Sequence, residues 1–554
     1  MDTLGQPAAF ATHEVCNQPP PLAGYNVFTS DLALGEAATR EGAAWALTDL
    51  TAYGARLGAP ETLALGAAAN QHPPQLHVVD RYGHRQDWIE FHPAYHALMG
   101  LQVAQGLQAS PWSEARPGAH VHRAAGLYMS GQVEAGTSCP ISMTYAAIPV
   151  LRRASRQIQD DWLPKLVSRS YDPAHRPVSE KAGALVGTGM TEKQGGSDLR
   201  TNATRAEPLA RRGPGEAYRL VGHKWFLSAP MCDAFLVLAQ APGGLSCFFM
   251  PRWAPDGELN ALRFQRLKDK LGNRSNASGE VEFEGALAWL IGDEGRGVPI
   301  IVEMATYTRL DNVVASAGVQ RQALAQAIHH AAHRTAFQRR LVDQPLMTGV
   351  LADLALEVEA ATALAFRLAR AFDAQDDEAA TLFRRLLTPA AKFWICKRGP
   401  ALAAEALEVL GGNGYVEESG MPRLYRELPV YSIWEGSGNV MCLDVWRALQ
   451  RTPECLEALE GELTPARGAD ARLDVEIDQV LANARRGPAE ADLRRLCRQL
   501  VVTTQAALLA RHAPPFVADA FIASRLMGDG GAFGLLTPTV DSTAIVARAA
   551  PGAP

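Results

Sequence analysis

Apolar residues recur at helical spacing along most of the chain, and the exceptions mark its organisation. To about residue 180, alanine- and leucine-rich segments such as DLALGEAATREGAAWALTDL carry that period, with Ser-Asp pairs ahead of them as N-caps. Proline and glycine segments, NQPPPLAGYN and YDPAHRPVSEK, punctuate it. Between about 184 and 292 the texture changes. YRLVGHKWFLSAP, AFLVLAQAPGG, LSCFFMPRW and GEVEFEGALAWLIG are short, rich in β-branched and aromatic residues, and bounded by Gly, Pro or Asp. They predict closely spaced strands, hence a small antiparallel sheet or barrel rather than a βαβ fold. From about 297 the helical period returns. VPIIVEMATYTRLDNVVASAGVQRQALAQAIHHAAHRTAF predicts one very long helix, QPLMTGVLADLALEVEAATALAFRLARAF a second, and PAAKFWICKRGPALAAEALEVLGG a third that ends on glycines.

The expected fold class is therefore α+β multidomain. An N-terminal α-helical domain spans 1–183, a small β-barrel 184–295, a helical bundle 296–446 and a helical extension 447–535. A Gly/Pro/Ala-rich tail, 536–554, reads as disordered. With 554 residues, 47% of them hydrophobic, the chain has apolar material for several cores. A net charge of −6 gives no global field to recruit nucleic acid or an anionic membrane. No apolar run reaches the roughly 18–20 residues of a membrane span, and MDTLGQPAAFATHEV lacks the basic start and apolar core of a signal peptide. Eight scattered cysteines show no zinc-type spacing, so no metal site is expected and free thiols in a reducing cytoplasm are the plain reading.

Three segments carry candidate chemistry. In GTGMTEKQGGSDL, Gly187 to Leu199, glycines let backbone N–H groups approach a ligand while the hydroxyls of Thr191 and Ser197 donate. An ordinary glycine turn fits these residues equally well. In HKWFLSAP, a strand would put Trp225 and Leu227 on one face and Phe226 and Ser228 on the other, so that an aromatic and a hydroxyl could meet a planar cofactor. A lone Trp in a strand is more often core. In IWEGSGN, Ile433 to Asn439, Glu435 starts a glycine-flexed turn from which a carboxylate can project into a cavity and act as a base. Its bland alternative is a helix N-terminal acid.

Taken in order, MTEKQGGSD, WFLS, Arg334-Thr335-Ala336-Phe337, LGGNGY and WEGSGN resemble the signatures of the acyl-CoA dehydrogenases, from about residue 180 to about 447. NQPPPL, TREGA, CPISMTYAA and RLKDKLGNRSNAS extend the resemblance toward the AidB-type, alkylation-response branch. It implies that family's fold, with a four-helix bundle and FAD between barrel and bundle. Met190, Thr191, Gly196 and Ser197 would meet the flavin and its phosphates, with Trp225, Phe226, Leu227 and Ser228 along the isoalloxazine. Ile433, Trp434, Gly436, Ser437 and Asn439 would close the site around Glu435, the implied catalytic base. Arg334, Phe337, Gly411 and Gly412 match positions that reach the FAD of a neighbouring subunit, which implies a homotetramer. The implied activity is α,β-dehydrogenation of a short or branched acyl-CoA. Arg309 matches an arginine that some members place directly after an alternative base; Thr308 precedes it here. Lys193 replaces a loop proline, and Gln344 lies one residue out of register with a flavin-contacting glutamine.

The AidB-type resemblance also implies non-sequence-specific binding of duplex DNA. From Arg447 to the end there are twelve arginines, no lysine and thirteen acidic residues, but over 481–511 six arginines face two acids. In the predicted helix PAEADLRRLCRQLVVTTQAALLARH, Leu493, Leu496 and Leu500 mark an apolar face, with Arg494, Arg495 and Arg498 largely away from it. Arg485 and Arg486 lie just upstream, and Arg447 matches a basic position of the AidB type. A solvated helix face accounts for such residues as well.

Overall fold

The structure, a computed structural model, describes residues 12–528 and 531–552. Its N-terminal region is mostly helical. Asp31 caps the first helix, Leu32–Ala38, by accepting from the Leu34 N–H at 3.1 Å. A hairpin of β1 (Gln75–Val79) and β2 (Arg85–Glu90), absent from the sequence expectation, interrupts the helices. Asp80 folds its turn, accepting from the N–H groups of Tyr82 at 2.8 Å and His84 at 2.9 Å. Helix α1 (Ala119–Val133) is buried along its whole length, and α2 (Ser138–Leu151) follows it.

The strands form a barrel. β3 (Val186–Gly189), β4 (Arg205–Pro208), β5 (Ala217–Ser228), β6 (Ala234–Ala241), β7 (Gly244–Pro251), β8 (Leu262–Leu267) and β9 (Ser278–Ile291) make one seven-stranded sheet. The β3–β6 and β5–β9 pairings close it into a ring. Most pairs are antiparallel, as expected, although β3 runs parallel to β6.

The long helix α3 (Gly297–His333) has 37 residues. A two-residue hairpin, β10 (Thr335–Ala336) and β11 (Arg339–Arg340), turns the chain into α4 (Pro345–Asp373). Helix α5 (Glu378–Val409) starts earlier than its alanine-rich part suggests, because Asp377 caps it through the Ala380 N–H at 3.1 Å. It runs through Pro389 and Pro400. Next come α6 (Met421–Tyr431) and α7 (Gly438–Arg451), then the extension with α8 (Ala471–Arg486) and α9 (Leu493–His512). Leu493, Leu496 and Leu500 are buried, as their spacing predicts.

The tail corrects an expectation. Residues 542–549 form α10 (Ser542–Ala549), capped by Asp541. Arg548 docks it, pairing with Glu36 at 2.6 Å and Glu359 at 2.9 Å, while Arg321 of α3 donates to the Ala549 carbonyl. A composition rich in Ala, Gly and Pro hides that single anchoring cation.

Deep ion pairs tie the layers together. Arg123 of α1 forks onto Asp311 of α3 with bonds of 2.6 and 2.7 Å, and its guanidinium lies 3.4 Å from the Tyr145 ring centre.

Candidate active site

The loop after β3 and the end of β5 are built as one unit. The Trp225 N–H donates to the Thr191 carbonyl at 2.8 Å, which joins the first two candidate segments directly. Beneath them Glu192 and Lys224 form an ion pair of 2.7 Å whose side chains are both 0% exposed. Glu192 also accepts from the Ala203 N–H at 2.6 Å and the Thr204 N–H at 3.2 Å, and Lys224 donates to the Leu238 carbonyl at 2.7 Å. Above this base the loop is open: Met190 and Thr191 are half-buried, Gly196 and Ser197 exposed. Among the described residues, the N–H groups of Gly196 and Ser197 and the hydroxyls of Thr191, Ser197 and Ser228 make no hydrogen bond within the protein. Buried support under unspent donors is what an anionic or heterocyclic ligand requires.

The two-face expectation for β5 needs correction. Register slips between Lys224↔Val281 and Leu227↔Gly279, so Trp225 and Phe226 form a bulge. Leu227 is fully buried, Trp225 and Ser228 half-buried, and Phe226 exposed. The Lys268 ammonium stands 3.4 Å from the Trp225 ring centre and 4.5 Å from that of Phe226, and Lys193 lies 5.7 Å from Trp225. Lys268 lies in RLKDKLGNRSNAS, a segment to which the sequence reading gives no role at the site.

Glu435 sits in the turn between α6 and α7. Its φ is +58°, followed by +112° at Gly436. The side chain is exposed, whereas the sequence expectation for a base is a buried carboxylate. Arg309 of α3 donates to the Glu435 carbonyl at 2.9 Å and Lys392 of α5 to the Gly436 carbonyl at 2.6 Å. Asp444 of α7 holds Arg309 at 2.7 Å and Arg385 at 2.9 Å. Trp434 and Ser437 are half-buried, and Ile433 and Asn439 exposed. Another carboxylate near by is buried: Glu427 of α6, 3% exposed, accepts from the Asn273 N–H at 2.8 Å. Burial, then the charge of Glu134, pushes its pKa up to about 7.

Other expected flavin contacts lie apart from the loop. Asn17 braces β10, exchanging side-chain bonds of 2.8 Å with the Thr335 backbone and accepting from Arg334 through its carbonyl. Phe337, at φ +52°, stands 94% exposed on the hairpin tip beside Gln338 at +66°. Gln344 donates its amide to the Ala336 carbonyl at 2.9 Å, so that donor supports the hairpin. Gly411, at φ +60°, and Gly412 are exposed with open space around them. No hydrogen bond among the described residues joins the hairpin, Gly411 or Gly412 to the 190–197 loop.

The arginines on the extension divide. Arg485 pairs with Glu460, Arg495 with Asp492, and Arg498 donates to the Arg525 carbonyl. Arg447, Arg486 and Arg494 are exposed.

Comparison with known proteins places this geometry. Residues 17–173 match the AidB N-terminal domain of the adaptive response protein, 187–286 the acyl-CoA dehydrogenase middle domain and 295–450 the acyl-CoA dehydrogenase C-terminal domain. The chain is 49% identical to AidB of Escherichia coli K12 over 94% of this chain and 95% of that one. The chain belongs to the acyl-CoA dehydrogenase family, in its AidB-type branch. As a member it is an oxidoreductase acting on CH–CH bonds. Among solved structures, Caenorhabditis elegans ACDH-11 in complex with C11-CoA has a TM-score of 0.82 and 26% identity, covering 97% of this chain and 93% of that one. An acyl-CoA dehydrogenase of Bacillus anthracis complexed with FAD shares the fold, with a TM-score of 0.65 and 18% identity over 82% of each chain. The family's flavin fits the residues present: unspent donors at Thr191, Gly196, Ser197 and Ser228 flank the half-buried Trp225 ring.

Proposed function

We propose that this protein is an FAD-dependent dehydrogenase of a short or branched acyl-CoA, with Glu435 as the base. The observation that carries the reading is the Glu435 turn, an exposed carboxylate on a strained backbone whose two carbonyls are gripped by Arg309 and Lys392. FAD, when bound, supplies the acceptor for the hydride that leaves the β carbon. Glu435 takes the α proton. That proton is too weakly acidic for a carboxylate unless the developing enolate is stabilised. The N–H groups of Glu435 and Gly436 donate to no acceptor among the described residues and remain for the thioester oxygen. Preorganised donors of this kind are worth about 3–4 kcal/mol each. The test is an anaerobic titration with short, branched and eleven-carbon acyl-CoAs, following the flavin absorption. Bleaching by one class identifies the substrate; a spectrum unmoved by all of them overturns the reading. The eight unbonded cysteines support a reducing, cytoplasmic setting.

The assembly belongs to the same proposal. An aromatic held almost wholly in solvent at positive φ is costly unless something covers it. Phe337 and the exposed Leu346 and Tyr415 stand beside the residues that resemble cross-subunit flavin contacts, which supports a homotetramer. Sedimentation of the flavin-loaded protein is expected to give a tetramer that Phe337→Ser weakens; a monomeric native protein removes the proposal.

A second reading, binding of duplex DNA, rests on a narrower patch than the sequence offers. Gly487 lies against Trp446, where a Cβ would stand 3.1 Å from the ring, which brings together the segments that carry the exposed Arg486 and Arg447. Exposed Arg494 lies on the adjoining helix α9. Replacing these three by Ala is expected to lower the salt dependence of DNA affinity by about 0.9 in log–log slope for each phosphate left without its arginine. An unchanged slope excludes the patch.

A further inference from the structure

The Glu435 turn is held in a conformation that its own sequence disfavours. A non-glycine residue in the left-handed region costs about 1–2 kcal/mol, and it persists only where neighbours over-determine it. At Glu435 the neighbours are two cations from different helices. Arg309 reaches the Glu435 carbonyl from α3, and Lys392 reaches the Gly436 carbonyl from α5. Arg309 is itself held. Arg309 shares Asp444 with Arg385, which ties α3, α5 and α7 behind the turn. Lys392 is 1% exposed and forms no ion pair with a carboxylate among the described residues, so a backbone carbonyl is the acceptor for a buried ammonium. Leaving a charge in the interior on so little is expensive, and a purely structural role is met more cheaply by an apolar residue of the same length.

We propose that Arg309 and Lys392 are positioning residues that grip consecutive carbonyls of the catalytic turn, with Lys392 supplying a charge that can be switched off. In a planar trans peptide the C=O and the following N–H point in opposite directions. Fixing the two carbonyls toward the bundle therefore aims the N–H groups of Gly436 and Ser437 away from it, and neither N–H donates within the described residues. Of the two donors assigned to the thioester oxygen, the clamp thus sets the Gly436 N–H, together with the carboxylate of Glu435. The inference rests on the reading of Glu435 as the base.

The surroundings make Lys392 the switchable member. Cys396 and Lys397 of its own helix, Arg309 of α3 and Glu435 of the turn face it, with Asp444 behind Arg309. Burial dominates and lowers the ammonium to about 8. Its folded value lies below the ordinary lysine value, so the charge is present at neutral pH and is lost as the pH rises through about 8.

The test uses the flavin-loaded protein, with substrate-dependent flavin reduction followed across roughly pH 6 to 10, a range that spans the lysine transition. The native protein is expected to lose rate as the pH rises through about 8. Lys392→Met is expected to reduce flavin roughly 10–100-fold more slowly, without that alkaline fall and with thioester affinity little changed. Lys392→Arg is expected to keep most of the rate and lose the alkaline fall. A readout independent of turnover is cleavage by a Glu-specific protease at the Glu435–Gly436 bond, since a protease needs an extended chain that the gripped turn denies it. Cleavage there, relative to other sites, is expected to rise by about tenfold or more in Lys392→Met and in Arg309→Gln, as the closed turn opens more often. Should Lys392→Met fail to fold, Arg309→Gln and Lys392→Arg carry the test. Native cleavage at the turn together with a native alkaline fall in the Lys392 variants overturns the clamp. Glu435→Gln run alongside separates the two ideas: if it still supports flavin reduction the base reading falls, and the clamp is then judged by cleavage alone.

Discussion

Replacing Glu435 by glutamine is expected to leave bound flavin and thioester affinity unchanged while slowing substrate-dependent flavin reduction by roughly 10³-fold, within the range a positioned general base supplies. The exchange is isosteric and leaves the carbonyls of Glu435 and Gly436 in the grip of Arg309 and Lys392, so the turn keeps its shape. What is lost is an oxygen able to take a proton. Anaerobic stopped-flow of the flavin absorption measures the effect. The same experiment decides between two carboxylates. Taken alone, the pKa of Glu427 suits a base, because burial and the charge of Glu134 raise it to about 7, near the optimum for proton transfer at neutral pH. Access argues the other way: Glu427 is 3% exposed and one oxygen is committed to the Asn273 N–H. Reach precedes acidity, since a base that cannot touch the α proton has no use for a well-tuned pKa. Glu427→Gln is accordingly expected to keep the native rate. Unchanged reduction in Glu435→Gln with loss in Glu427→Gln reverses the assignment.

Period and texture were enough to show where helices give way to strands, because the inward face of each element repeats in sequence. The long helix α3 and the apolar stripe of Leu493, Leu496 and Leu500 follow from that repetition alone. Elements too short to repeat are invisible to it, which is why the five- and six-residue strands of the β1–β2 hairpin go unread. Ordered motifs located the candidate site, yet they name the groups that would touch a ligand and pass over the groups that hold those in place. Lys224 sits inside HKWFLS in phase with the inward Tyr218 and Leu220, and Lys392 in phase with the buried Thr388, Ile395, Cys396 and Gly399. A charge on an inward face signals that a partner exists. Nothing local says which one. Lys224 meets Glu192 across 32 positions, Arg309 meets the Glu435 carbonyl across 126, and Arg123 meets Asp311 across 188. Those pairings are properties of the fold, and only the folded chain displays them.

Glu192→Ala is expected to be the most damaging substitution to stability near the site, costing about 3–5 kcal/mol against a total of roughly 5–15. The loss comes chiefly from what is left behind. Lys224 would keep its ammonium in a place with 0% side-chain exposure, with only the Leu238 carbonyl at 2.7 Å as a partner. The N–H groups of Ala203 and Thr204 would lose their acceptor as well. Because Glu192 underlies the Thr191–Trp225 connection, flavin occupancy should fall with stability, which thermal unfolding of flavin-loaded and flavin-free protein would separate. Changing both partners, Glu192→Met with Lys224→Met, removes the orphaned charge and is expected to recover most of the stability, since replacing a whole buried pair by apolar residues is often neutral. Acid provides an independent measure. Burial pushes the Glu192 carboxyl up, but the Lys224 ammonium and the hydrogen bonds from Lys224, Thr204 and Ala203 together outweigh it and leave it at about 2. A folded value below the ordinary carboxyl value of 4.5 means stability that is complete above pH 4.5 and drains away as the pH falls through about 2. The double variant should lack that contribution to acid unfolding. If it unfolds in acid along the native curve, or if Glu192→Ala alone is as stable as the native protein, the pair does not support the flavin loop.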